Sequence, residues 1–286
     1  MPAKILDGRA LAAELRAEVA LRAARLRARG IVPQLIVVLL GEDEASHAYV
    51  RSIEKVGAKC GVDVGVEILD AGIDEDALRA QLHAFGDDRR VHGIILQQPL
   101  PPHLGIRRIA EAIPSHKDVD GANPVNLGRL AFSTGTEFIP ATPHAVMLLL
   151  ERSDRWPISG LRACVLGRSN VVGLPVALLL TARDATVTIV HSRTRDADRH
   201  TREADIIVAA TGKPGLVTAE MVPHGATVID VGTTFVDGKM VGDVDYAAVA
   251  EIAGEITPVP GGVGPVTNVA LLRNVVLAAE RLAAAS

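Results

Sequence analysis

Seven residues, Gly167-Arg-Ser-Asn-Val-Val-Gly173, follow the apolar run Arg162–Leu166, and their types suit a phosphate-binding turn. Gly167 lets the backbone turn at the strand end, Arg168 supplies a fixed positive charge, and Ser169 opens a stretch whose amide groups can face a pyrophosphate at a helix N-terminus. Gly173 allows close helix packing, although the spacing is not the common G-x-G-x-x-G. One strand later, His191-Ser-Arg-Thr194 ends the run Thr186–Val190, where an NAD-specific fold shows an acid for the ribose hydroxyls. Ser192 and Arg193 stand there instead, which leans toward the extra phosphate of NADP; the alternative is ordinary solvent-facing polar residues.

Near the C-terminus, Thr257-Pro-Val-Pro-Gly-Gly-Val-Gly-Pro-Val-Thr267 holds three prolines and three glycines. Proline fixes φ and glycine admits close approach, so the segment reads as a shaped loop, neither strand nor helix. It is either a surface for a flat ligand or a plain interdomain turn.

These segments need a scaffold. Asp7 can cap a helix carrying Leu11, Leu15, Val19 and Leu26, with Gly30 as its stop. Short β-branched runs at Gln34–Leu40, Val64–Leu69 and Val91–Gln97 alternate with helical patterns at Ser46–Cys60 and Asp74–Phe85. Residues 113–141 read as a long irregular stretch before a helical run at His144–Arg152. A second alternation comprises strand Arg162–Leu166, helix Val171–Thr181 and strands Thr186–Val190, Ile206–Ala209 and Thr227–Val231, with a closing helix at about Val266–Ala284. The expected fold is α/β with mainly parallel sheets.

Composition excludes several classes. The 286 residues are 48% hydrophobic, enough for sizeable cores, and no apolar run reaches the roughly 20 residues of a membrane span. With no secretion pattern at the N-terminus, a cytoplasmic location is expected. A net charge of -4 and few aromatics speak against nucleic acid. Cys60 and Cys164 lack metal-ligand spacing, so no metal is assigned.

Five segments occur together in order: Ser46-His-Ala-Tyr-Val50, Gly93-Ile-Ile-Leu-Gln-Gln-Pro-Leu-Pro101, Lys117-Asp-Val-Asp-Gly-Ala-Asn-Pro124, Gly167–Gly173 and Thr257–Thr267. On these the chain resembles the bifunctional methylenetetrahydrofolate dehydrogenase/methenyltetrahydrofolate cyclohydrolase family, from about Lys4 to about Asn274. The resemblance implies a folate-binding α/β domain (1–140 plus 266–286), a Rossmann-like NADP-binding domain (141–265), a cleft between them, and a homodimer formed through the second domain. Tyr49 would stack on the pterin or aminobenzoyl portion of a tetrahydrofolate derivative, Gln97 would orient a catalytic side chain, and Asp120 would hydrogen-bond the pterin ring. Pro99, Gly262 and Pro265 would complete the folate surface, and Thr233 would join Gly167, Arg168, Ser169, Ser192 and Arg193 on NADP. Taken singly, Asp120 can be a turn former beside Gly121, Tyr49 a half-buried helix residue and Gln97 a strand-end polar residue.

One departure changes the chemistry. The family places a lysine, its usual acid/base group, one turn after the tyrosine, and this chain has Ile53 there. Lys55 lies about 120° round the helix from Tyr49 and is a poor geometric substitute. Retained dehydrogenase with weak or absent cyclohydrolase is the leading expectation. Behind it stand a fully bifunctional enzyme, with Lys55, His47 or water moving the proton, then a non-catalytic folate or nucleotide binder and an enzyme for another one-carbon carrier. Ala122, Ala141, Gln98 and Val266 are smaller departures that alter pocket shape.

Overall fold

The computed structural model describes residues 2–133, 135 and 138–285. In chain order the elements are β1 (Lys4–Ile5), α1 (Gly8–Arg27), β2 (Gln34–Leu40), α2 (Glu44–Cys60), β3 (Asp63–Leu69), α3 (Glu75–Asp87), β4 (Gly93–Leu96), α4 (Ile106–Ala110), α5 (Pro124–Ala131), α6 (Ala141–Leu150) and β5 (Arg162–Leu166). There follow α7 (Gly173–Thr181), β6 (Thr186–Val190), α8 (Ala197–Arg202), β7 (Ile206–Ala209), β8 (Thr227–Asp230), β9 (Thr234–Val236), β10 (Lys239–Val241), α9 (Tyr246–Val249), β11 (Glu255–Ile256) and α10 (Val263–Ala285). The chain forms two compact units, one of Glu14–Ala141 with Asn268–Ser286, the other of Thr142–Thr267 with Met1–Ala13.

The first unit holds a three-stranded parallel sheet, β3-β2-β4. Its middle strand Gln34–Leu40 is almost wholly apolar because both faces are covered, the usual state of a parallel sheet. Ile36, Val38, Ile94 and Leu96 pack with Leu78 and Leu82 of α3 and with Ile109 and Ile113. The second unit holds a six-stranded parallel sheet, β1-β11-β8-β7-β5-β6, and a separate β9–β10 hairpin. Its core gathers Cys164, Leu166, Ile207, Val228, Val244 and Ile256. No helix among the described residues is long and apolar enough to cross a membrane.

The α/β class and the parallel pairing match the sequence expectation, and three details differ. Lys4–Ile5, expected in the N-terminal domain, pairs with Glu255–Ile256 in the six-stranded sheet, so the first 13 residues belong to the second unit. A two-residue strand is too short to show a pattern. The stretch 113–141 is not wholly irregular, since Pro124–Ala131 is helical. Asn123 caps it by accepting the Val125 N–H, and proline at the first helical position was the signal for it. Thr134, Thr136 and Glu137 of that stretch lie outside the described residues. Finally, α10 starts at Val263, inside the segment expected to be neither strand nor helix. Pro265 then sits in the first turn, where the N–H it lacks would have had no intrahelical partner.

Candidate active site

In the three-stranded unit, the sequence dictates how α2 begins and ends. Asp43 accepts the Ser46 N–H at 2.8 Å, and Gly61 closes the helix at φ 70°, a left-handed angle that favours glycine. The helix carries Tyr49, Ser52 and Ile53 at i, i+3 and i+4, hence on one face. Ile53 is fully buried, and Lys55 is exposed. His47 lies 3.6 Å from Glu42.

Gln97 follows β4. Its backbone N–H donates to Val38 at 2.9 Å, which extends the sheet pairing by one residue, and its side-chain amide donates to the Gln98 carbonyl at 2.8 Å. The next peptide, Gln98–Pro99, is cis, and Pro99 is exposed.

The loop with Asp120 is tied to the same strand, for the Ile94 N–H donates to the Lys117 carbonyl at 2.8 Å. Asp118, fully buried, shapes this loop by accepting the N–H groups of Ala122 (3.0 Å) and Asn123 (2.9 Å) and the Asn126 amide (2.8 Å). The turn-forming role that Asp120 alone could have filled thus falls to Asp118, two residues earlier, while Asp120 accepts the Ala141 N–H. Burial pushes the Asp120 carboxyl up to about 7, with the Asp118 charge adding and the Ala141 N–H opposing. Burial also raises the Tyr49 phenol, with the Asp120 charge adding, so these two side chains lie within electrostatic reach of one another.

Helix α10 braces this unit. Asn274 donates to the carbonyls of Val119 (2.7 Å) and Ile139 (2.8 Å), beside Asp120, and Asn268 donates to Ser52 Oγ at 2.8 Å, on the face of α2 that bears Tyr49.

In the six-stranded unit, Gly167 ends β5 at φ 116°, and a Cβ there would overlap the Ala210 carbonyl. A Cβ on Gly173 would overlap the Gly167 carbonyl, so both glycines are needed for α7 to begin directly over the strand end. Ser169 Oγ accepts the Val172 N–H at 3.1 Å, and Arg168 is exposed. After β6, the His191 N–H donates to Thr194 Oγ1 at 3.0 Å, a turn that leaves Ser192 and Arg193 exposed. Thr233 is exposed after β8, and Gly262 is buried against Thr257 and Pro258. Gly262 and Pro265 belong to this unit, with Pro265 half-buried in the first turn of α10.

Comparison with known proteins gives this arrangement its family. The catalytic-domain model of tetrahydrofolate dehydrogenase/cyclohydrolase matches residues 6–120, and the NAD(P)-binding domain model of the same family matches residues 140–283. The chain belongs to the tetrahydrofolate dehydrogenase/cyclohydrolase family. It is 47% identical over 281 residues to the bifunctional protein FolD of Macrococcus caseolyticus, covering 98% of this chain and 99% of that one. Among solved structures it is similar to the bifunctional FolD enzyme of Campylobacter jejuni, with 40% identity, 98% and 99% coverage and a TM-score of 0.95. The Trypanosoma brucei methylenetetrahydrofolate dehydrogenase-cyclohydrolase, solved with NADP and an inhibitor, aligns at 40% identity, 98% coverage of both chains and a TM-score of 0.92. Within the family's two domains, Tyr49, Gln97 and Asp120 fall in the catalytic match, and Gly167–Gly173 with Ser192 and Arg193 fall in the NAD(P)-binding match.

Several residues that build these loops escaped sequence reasoning. Asp118 and Asn126 organise the Asp120 loop. Asp230 accepts the N–H groups of Gly232, Asp243 and Val244, and Asp243 in turn accepts those of Thr211 and Gly212. A carboxylate that holds backbone from a distant segment has no local signal, although Asp237-Gly238, the turn of the β9–β10 hairpin, did carry one.

Proposed function

We propose that the chain oxidises methylene-tetrahydrofolate to methenyl-tetrahydrofolate with NADP and hydrolyses the product weakly or not at all. The observation that carries this reading is Ile53, fully buried on the Tyr49 face of α2 where the family has its lysine, with Lys55 turned to solvent.

In this reading Tyr49 stacks on the pterin or aminobenzoyl portion. Ionised Asp120 accepts two N–H bonds from the aminopyrimidinone edge, which selects a pterin over ligands without that donor pair. Pro99, exposed after β4, gives a low-profile surface for the folate, and Gln97 holds the end of β4 in place. The six-stranded unit fits a dinucleotide: Gly167 and Gly173, where a Cβ would overlap neighbouring carbonyls, let α7 begin directly over the end of β5, and Ser192 and Arg193 are exposed to meet a ribose phosphate. Gly167 and Ser169 would lie along the pyrophosphate, with Arg168, exposed at the end of β5, reaching the ribose phosphate and Thr233 nearby. NADP supplies the hydride acceptor. For this step the protein need only hold the reactants in near-attack geometry, and no side chain has to titrate. Hydrolysis instead needs proton transfer to a nitrogen leaving group, where a positioned acid/base is worth about 10²–10⁴-fold. An isoleucine moves no proton.

The full bifunctional reading is second, and one observation favours it: Asp120, raised to about 7, is near neutral pH a candidate proton carrier. The reading also includes a cytoplasmic homodimer built through the six-stranded unit. The β9–β10 hairpin, with Phe235 61% and Val236 43% exposed, offers an apolar face for a second copy.

The test is reduction of NADP by the purified protein on addition of methylene-tetrahydrofolate. Steady turnover supports the proposal. Folate or nucleotide binding without turnover would make this a binding protein that kept the fold.

A further inference from the structure

Helix α10 is apolar along most of its buried face, with Val266, Val269, Ala270, Leu272, Val275 and Val276 inside, yet Asn268 is buried among them at 7% exposure. Burying an amide costs free energy unless its groups are paired. One is paired, since Nδ2 donates to Ser52 Oγ at 2.8 Å. The other, Oδ1, has no hydrogen-bond partner among the described residues. A buried acceptor left unpaired calls for an explanation in native structure, and a ligand group is one.

Its position narrows the explanation. Ser52 lies three residues after Tyr49 and one before Ile53, so Asn268 stands against the face of α2 assigned above to the folate. Six residues further along α10, Asn274 holds the Val119 carbonyl beside Asp120. Asn268 therefore belongs to the three-stranded unit's own candidate site, at the end where the family's lysine would have stood.

We propose that the Asn268 amide oxygen faces the one-carbon bridge of the bound folate and stabilises the positive charge that forms there as hydride departs. The proposal rests on the dehydrogenase reading. In that step a C–H bond of the methylene carbon breaks, and its electron pair leaves as hydride to NADP, which is reduced. The lone pair of the adjacent nitrogen forms the new C=N bond, so the folate is oxidised to a delocalised cation. A neutral carbonyl dipole with free lone pairs, locked by Ser52 and surrounded by apolar side chains, favours that cation more than it favours the neutral substrate. Such a difference accelerates the step. An ammonium at the same place would oppose it. Asn268 and Ile53 thus adapt one site to one reaction: the first supports the cation, and the second removes the group that would open it.

The experiment compares oxidation by wild type, Asn268→Leu and Asn268→Asp, with methylene-tetrahydrofolate carrying hydrogen or deuterium on the bridging carbon. Asn268→Leu should lower kcat by at least about tenfold with KM for both reactants nearly unchanged, and the isotope effect on kcat should grow. Asn268→Asp, which keeps the acceptor and the shape, should stay within a few-fold of wild type. If wild type turns over and Asn268→Leu matches it, or loses kcat with an unchanged isotope effect, Asn268 has no part in the chemical step. Should the Leu variant not fold, a tenfold fall in kcat for Asn268→Asp overturns the proposal equally. Absence of turnover in the wild type would sink the dehydrogenase reading itself, a separate outcome.

Discussion

Ile53 and Lys55 stand two residues apart on one helix and meet opposite surroundings: Ile53 is fully buried and Lys55 is exposed. Two residues are about 200° of helical rotation, so no small rotamer change brings the ammonium to the buried face. The loss of a proton carrier at position 53 is therefore not repaired by its neighbour.

Asp120 sets a pH dependence. Its carboxyl, raised to about 7, must ionise to accept the pterin N–H groups, so kcat/KM for the folate should rise through about pH 7 and then level. Asp120→Asn should lose that inflection along with most of its activity. Stability runs the other way. A carboxyl whose folded pKa lies above its unfolded value favours the fold while protonated and loses that contribution as pH rises through about 7. Thermal denaturation of wild type and Asp120→Asn on both sides of neutrality should thus show the variant gaining relative to wild type at the higher pH.

Arg193 and Arg168 are both exposed at strand ends of the six-stranded sheet. A charge-assisted hydrogen bond contributes about 1.5–3 kcal/mol, so Arg193→Ala or Arg168→Ala should lower the NADP-to-NAD ratio of kcat/KM by about tenfold or more. An unchanged ratio in both variants would refute the assignment of these residues to the ribose phosphate.

Asp230 is buried and, among the described residues, its carboxylate accepts from backbone, namely the N–H groups of Gly232, Asp243 and Val244. Asp230→Asn would turn an NH₂ toward one of those donors. An unsatisfied buried donor costs about 1–3 kcal/mol, and calorimetry should show a lower Tm with KM for NADP raised, because the loop before Thr233 loosens.

Much of this fold was legible because the strands of the parallel sheets read as short, β-branched, mostly apolar runs. Gln34–Leu40, Arg162–Leu166, Thr186–Val190 and Ile206–Ala209 have the bounds their residue patterns predict. β1 and β11, at two residues each, are held by pairing across the chain and carry no period of their own. Helix α5 was hidden by the polar and glycine-rich residues around it, although Asn123-Pro124 marks its start. At the candidate site, Tyr49, Gln97 and Asp120 could be named from segments in order, and Ile53 from its spacing to Tyr49. Ser52 and Asn268 could not, since they are 216 residues apart and meet only through folding. Asp118 and Asp120 are alike in sequence and are separated in role only by which of them the backbone N–H groups of residues 122 and 123 point at.

The central claim is best tested by methenyl-tetrahydrofolate hydrolysis, corrected for the spontaneous rate, beside NADP-dependent oxidation, in wild type and Ile53→Lys. The account predicts oxidation without enzymatic hydrolysis in the wild type. In the variant, hydrolysis should appear and Tm should fall, because an ammonium replaces a fully buried alkyl group. Enzymatic hydrolysis by the wild type would contradict the account and show that another group moves the proton.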